Sequence, residues 1–150
     1  MDYLTTITTE HSTFTRSAPK RTVLELTRGR LSGGWIYFPS GPAGLLHAII
    51  LRASHQLAPV DREQSYRLDD VIANLSIGYD LEQPPFQVTV ATWNDSIIYD
   101  HTLTVSLTLD PFFGKPPKRT FLSSLFRNSI FNNKPLKMEP PGQQGDPSTF

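Results

Sequence analysis

From Leu103 to Leu109 the chain alternates strictly. Leu103, Val105, Leu107 and Leu109 are apolar, and Thr104, Ser106 and Thr108 separate them. A period of two places all four apolar side chains on one face of a strand, whereas a helix would spread them around its circumference. Two earlier runs, Ala73 to Leu81 and Phe86 to Trp93, precede it. Their β-branched residues suit a pleated surface. The stretch 73–109 therefore predicts three consecutive antiparallel strands of a half-buried sheet. Pro84-Pro85 stiffens the first link, because proline donates no ladder hydrogen bond. Trp93-Asn94-Asp95-Ser96 supplies turn chemistry for the second, and Ile97 to Asp100 carries the chain into the third strand.

Upstream, Thr22 to Thr27 reads as a first strand and Trp35 to Phe38 as another, ended by Pro39. Ser32-Gly33-Gly34 between them reads as a turn. Leu45 to Ala53 is almost continuously apolar and reads as a buried strand or a short helix; the preceding Gly/Pro loop favours the strand. The tally of short strands predicts an all-β fold, an antiparallel β-sandwich or open barrel.

The termini differ from this centre. Residues 1–21 are rich in Thr and Ser and read as an extended N-terminal arm, either a loose terminus or a segment ordering on a neighbouring subunit. Residues 22–110 then form the β-domain, and 111–150 a basic, Pro-containing C-terminal tail. Within that tail, apolar residues at 122, 125, 126 and 130 recur at a helical period, which predicts a short amphipathic helix over 121–131. A helix of that length needs a surface to pack on. The tail's apolar residues, Phe112, Phe113, Phe121, Leu122, Leu125, Phe126, Ile130 and Phe131, are the expected assembly interface.

The formal net charge is zero, which argues against a dedicated nucleic-acid binder. The sum hides a split. Residues 1–110 carry 8 Lys/Arg and 12 Asp/Glu, 8 − 12 = −4, and residues 111–150 carry 6 and 2, 6 − 2 = +4. Domain and tail, or their copies in an assembly, attract. No cysteine is present, which excludes disulfides and thiolate chemistry. No apolar run approaches the roughly 20 residues of a spanning helix, and the first residues lack a signal-peptide pattern. No membrane association is expected.

Phe38-Pro39-x-Gly41-x-x-Gly44-Leu45, Leu57-x-Pro59, Pro84-Pro85-Phe86, Trp93-Asn94 and Asp100-His101-Thr102-Leu103 occur in this order. Together they resemble small β-sandwich proteins encoded among the virion-structure genes of tailed bacteriophages and similar viruses. The resemblance covers residues 35 to 109. It implies a non-enzymatic virion structural role, as a capsid-decorating, capsid-stabilising or tail-associated subunit. The implied partners are other copies of the chain and other virion proteins, and the implied location is the virion.

Chemistry-bearing motifs are sparse. His11, His47, His55 and His101 form no HExxH or closely spaced ligand cluster, and the aspartates form no calcium loop, so no cofactor is expected. The Gly41–Gly44 loop lacks the Lys-Ser/Thr pair of a phosphate cradle, and no serine sits in a GxSxG elbow. Asp100 and His101 are adjacent, and adjacent strand residues face opposite ways. An enzyme is not expected. Trp35, Tyr37, Tyr79, Phe86, Trp93 and Tyr99 offer a second reading, a carbohydrate- or receptor-binding module. It requires these rings to share one exposed face; the assembly reading expects them in the core or between subunits.

Overall fold

The alternating runs become strands, and the partners of each strand set the architecture. The computed structural model describes residues 1–112. Eight strands follow in chain order, β1 (Asp2–Thr9), β2 (Lys20–Glu25), β3 (Gly29–Phe38), β4 (Leu46–Arg52), β5 (His55–Ala58), β6 (Val71–Leu81), β7 (Gln87–Asn94) and β8 (His101–Pro111). One sheet has the order β1-β8-β3-β6 and the other β2-β7-β4-β5, all neighbours antiparallel. The fold is the all-β sandwich expected, and its sheets are open.

The pairing is nested. The chain turns back after β4, so β5 pairs with β4, β6 with β3, β7 with β2 and β8 with β1. Successive pairs alternate between the sheets, and β3–β8 and β4–β7 pairing completes each one. This double Greek-key order is that of an eight-stranded jelly roll. It corrects the expectation of three consecutive antiparallel neighbours at 73–109. The three strands exist, but β6 and β8 lie in one sheet and β7 in the other. Local turn chemistry says that the chain turns; which sheet it enters next is decided by where apolar faces meet.

The alternation on β8 does what it predicts. Leu103, Val105, Leu107 and Leu109 are fully buried, with Leu31, Ile36 and Phe38 of β3 beside them on the same sheet. Leu46, Ala48 and Ile50 of β4 and Val88 and Val90 of β7 form the facing layer of the same core. Each fully buried large aliphatic side chain stabilises the fold by roughly 1.5–3 kcal/mol.

Ser32-Gly33-Gly34 is not a turn. It lies inside β3, where the register shifts between Leu31 and Gly33 against both neighbours. That bulge lets Leu31 and Ile36, separated by an odd number of positions, both face inward. The glycines are there because the neighbouring strands come close. A Cβ on Gly33 would collide with the Leu75 carbonyl oxygen, and one on Gly34 with that of Ser106.

The N-terminal arm is also corrected. Residues 2–9 are β1, paired with β8 along its length, and the Met1 ammonium donates to the Leu109 carbonyl at 2.8 Å. Its outer residues are Asp2, Leu4, Thr6 and Thr8, a largely polar set that gives it the look of a terminus; Ile7 and Thr9 are buried inside. The tail beyond Phe112, including the helix expected over 121–131, lies outside the described residues.

Candidate functional site

The connections at the two ends of the sandwich are unequal. One end has the short links 26–28, 53–54 and 82–86. The other gathers residues 10–19, 39–45, 59–70 and 95–100. These four loops hold one another through polar groups. Asp69 accepts from the Gly41 and Ala43 N–H groups at 2.8 and 2.9 Å, and those bonds hold its carboxyl below the usual carboxylate range. Asp100 accepts from the His11 backbone N–H at 2.8 Å and from its ring Nδ1 at 2.6 Å, with the same effect. The Asn94 side chain donates to the Thr9 and Tyr99 carbonyls and accepts from the Ser96 N–H.

Beside this junction, on the outer face of the β2-β7-β4-β5 sheet, His47 and Trp93 lie cross-strand from one another. Their rings stack at 4.8 Å, inclined by 11°. They line a cleft of about 350 Å³, whose other walls come from Arg16 in the first loop, Glu63, Gln64, Ser65 and Arg67 in the third and Asp95 in the fourth. The third loop is fixed there by a backbone bridge between Tyr66 and Ala48, which continues the sheet where β5 does not reach. Ser65 and Arg67 flank that bridge.

His47 is 8% exposed and uses both ring nitrogens. Nε2 lies 3.0 Å from Asp95 Oδ2, and Nδ1 lies 2.8 Å from Ser65 Oγ. Burial pushes its pKa below the ordinary value of 6.5, and the Asp95 carboxylate opposes that shift. A carboxylate only accepts, so Nε2 carries the ring proton. The neutral ring then accepts the Ser65 hydroxyl hydrogen at Nδ1. Asp95, His47 and Ser65 come from three different segments, and no local motif announces them. The one signal in the sequence is a lone histidine inside an apolar run.

The fourth loop also carries an apolar tip. Ile97, Ile98 and Tyr99 are 80%, 62% and 66% exposed, and Val60 in the third loop is exposed too. Asp95 and Asp100 flank this tip.

Of the expected interface residues, the structure describes Phe112 alone. It is half-buried at the short-link end, with the Arg28 guanidinium 5.6 Å from its ring centroid. Phe113, Phe121, Leu122, Leu125, Phe126, Ile130 and Phe131 lie outside the described residues. The six candidate stacking aromatics do not share a face. Trp35 and Tyr37 project outward from β3, beside Ser106 and Thr104. Tyr79 and Phe86 pack against the core, Trp93 is buried under His47 on the opposite sheet, and Tyr99 is on the loop tip. Among the described residues no group of three or more His, Asp or Glu side chains is placed to hold a metal ion.

The chain matches no protein-family model, no curated protein and no solved structure.

Proposed function

We propose that this chain is a non-enzymatic virion structural protein, a capsid-decorating, capsid-stabilising or tail-associated subunit that binds neighbouring copies. The observation that carries this reading is the Ile97-Ile98-Tyr99 tip. Three consecutive large apolar side chains stand in water on one loop, the longest such exposed run among the described residues. Isolated exposed apolar residues are ordinary, but contiguous ones mark contact surfaces. The jelly roll adds support, since viral capsid domains use this architecture, although lectin domains and cupins use it as well. The opposite charges of residues 1–110 and 111–150 supply a second attraction between copies.

The carbohydrate-binding reading through one aromatic platform is less well supported, because the six rings are distributed over different faces. Mass measurement of the full chain in solution, over a range of concentrations, tests the assembly reading. The expected result is self-association that weakens in an Ile97→Asp/Ile98→Asp double variant and in high salt. A chain that stays monomeric at every concentration, and joins no particle when co-expressed with its virion proteins, counts decisively against it.

A further inference from the structure

The cleft under His47 plays no part in assembly through the apolar tip, yet its walls are polar and specific. Its polar groups come in two kinds. Arg16 donates from Nη2 to the Glu63 carbonyl at 2.9 Å, and Arg67 makes no hydrogen bond or ion pair among the described residues. Neither guanidinium lies within ion-pair distance of a carboxylate there. Arg67 is thus free to fork onto a carboxylate or phosphate, and Arg16 keeps the donors it does not spend on Glu63 for the same purpose.

Acceptors share the cleft. Asp95 and Glu63 line the same cleft. Ser65 joins them, because its hydrogen is turned toward His47 Nδ1 and its lone pairs remain for a donor. Two carboxylates make the cleft unfavourable for a bare anion. They suit a ligand that carries hydroxyl donors next to its own carboxylate. The stacked His47–Trp93 pair supplies the apolar floor of the cleft, Trp93 reaching it with little exposed surface because His47 covers one face of its ring. The volume, about 350 Å³, sits at the lower end of small-molecule sites and fits one monosaccharide unit better than a chain of them.

We propose that this cleft binds a single acidic sugar residue. Arg16 and Arg67 clamp its carboxylate, Ser65, Glu63 and Asp95 accept from its hydroxyls, and its ring rests over the floor made by the stacked His47–Trp93 pair. The proposal does not depend on the assembly reading, since a monomer contains the whole site.

NMR titration of the full chain tests it, using the indole N–H signals of its two tryptophans. The probes are glucuronate and N-acetylneuraminate, with glucose as the neutral control and inorganic phosphate as the bare anion. The expected result is a saturable shift of the Trp93 signal with one acidic sugar, and little change at Trp35, on the outer face of the other sheet. Arg67→Gln and Arg16→Gln, both at exposed positions, each weaken that binding by about tenfold or more, as loss of a charge-assisted hydrogen bond requires. The proposal is overturned if neither acidic sugar moves Trp93, or if only Trp35 moves. It is equally overturned if glucose or phosphate binds as tightly, or if both arginine variants bind undiminished.

Discussion

Across the middle of the sandwich, Leu107, Val105 and Ile36 meet Val90 and Ile50 in a layer without polar side chains. At the loop end of the same interior, Thr9 and Thr92 bridge the two sheets by a hydroxyl–hydroxyl hydrogen bond of 2.7 Å, and Asn94 is buried beside them. The first region is indifferent to the direction of any one bond. The second works only if every donor finds its acceptor, because a buried polar group without a partner is costly. Packing thus fixes the sheets, and directed bonds fix the loops. A variant in the middle should lower stability throughout the domain, whereas one at the loop end should loosen the loops first.

The sharpest way to break the middle is to force its strands apart. Gly34 has φ of +147° and lies against the Ser106 carbonyl and the Leu107 Cα. Gly34→Ala adds a collision with backbone and a strained conformation together. The expected cost is about 4 kcal/mol or more, read as loss of the folded signal or a large drop in the denaturant midpoint. A variant that folds with unchanged midpoint would show that β3 and β8 shift without cost.

Next in size is a cavity. Leu107→Ala or Val105→Ala should cost about 2–4 kcal/mol through lost burial and the void left behind. Thr104→Ala, one position away on the outer face, loses a bond to the Thr6 hydroxyl at 3.2 Å and should cost less than about 1 kcal/mol. Equal losses on both faces in a urea titration would contradict the assignment of inner and outer residues.

The two regions also differ in how much of each is legible in the sequence. On β8 each residue's side follows from its own position, so period two is enough. β1 is harder, since its outward Thr6 and Thr8 look like loop residues until Thr104 and Thr102 stand opposite them. Ser32-Gly33-Gly34 has turn composition, and only the close approach of Leu75 and Ser106 shows that the glycines serve a bulge. The cleft is least legible. Asp95, His47 and Ser65 meet only after the chain has crossed between sheets, and no spacing along the sequence records that meeting. The exposed Ile97-Ile98-Tyr99 reads as passage into a strand, because apolar β-branched residues suit a strand as well as a contact surface.

The loop end should yield a smaller, local loss. Asn94→Ala removes donors to the Thr9 and Tyr99 carbonyls and the acceptor for the Ser96 N–H. The expected cost is about 1–3 kcal/mol. Hydrogen exchange should quicken at residues 95–100 well before it does on β8. Uniform loss of protection across both regions would show that the loop junction and the core open as one unit.

The smallest expected effect is a pH dependence that only the loop end carries. His47 has its pKa pushed below 6.5 by burial, with Asp95 pulling the other way. Below its ordinary value the unfolded chain binds a proton that the folded chain resists, so the unfolded state gains. The stability owed to neutral His47 is therefore whole above pH 6.5 and is lost as pH drops from there through its lowered value. Asp69 and Asp100 start from ordinary values of 3.8 and have theirs lowered by backbone N–H bonds. Their share is present above pH 3.8 and is lost only in more acid solution, a separate window. Denaturant midpoints taken from pH 7 downward should fall below 6.5 in the native chain. In His47→Gln that first fall should shrink, while the acid fall below pH 3.8 stays. Asp95→Asn should extend the first fall to lower pH, because the carboxylate that favours a protonated ring is gone. If His47→Gln leaves the profile between pH 6.5 and 4.5 unchanged, the buried histidine does not govern the loop end, and the polar junction is held by Asn94 and the loop carboxylates, Glu10 on Lys20 among them.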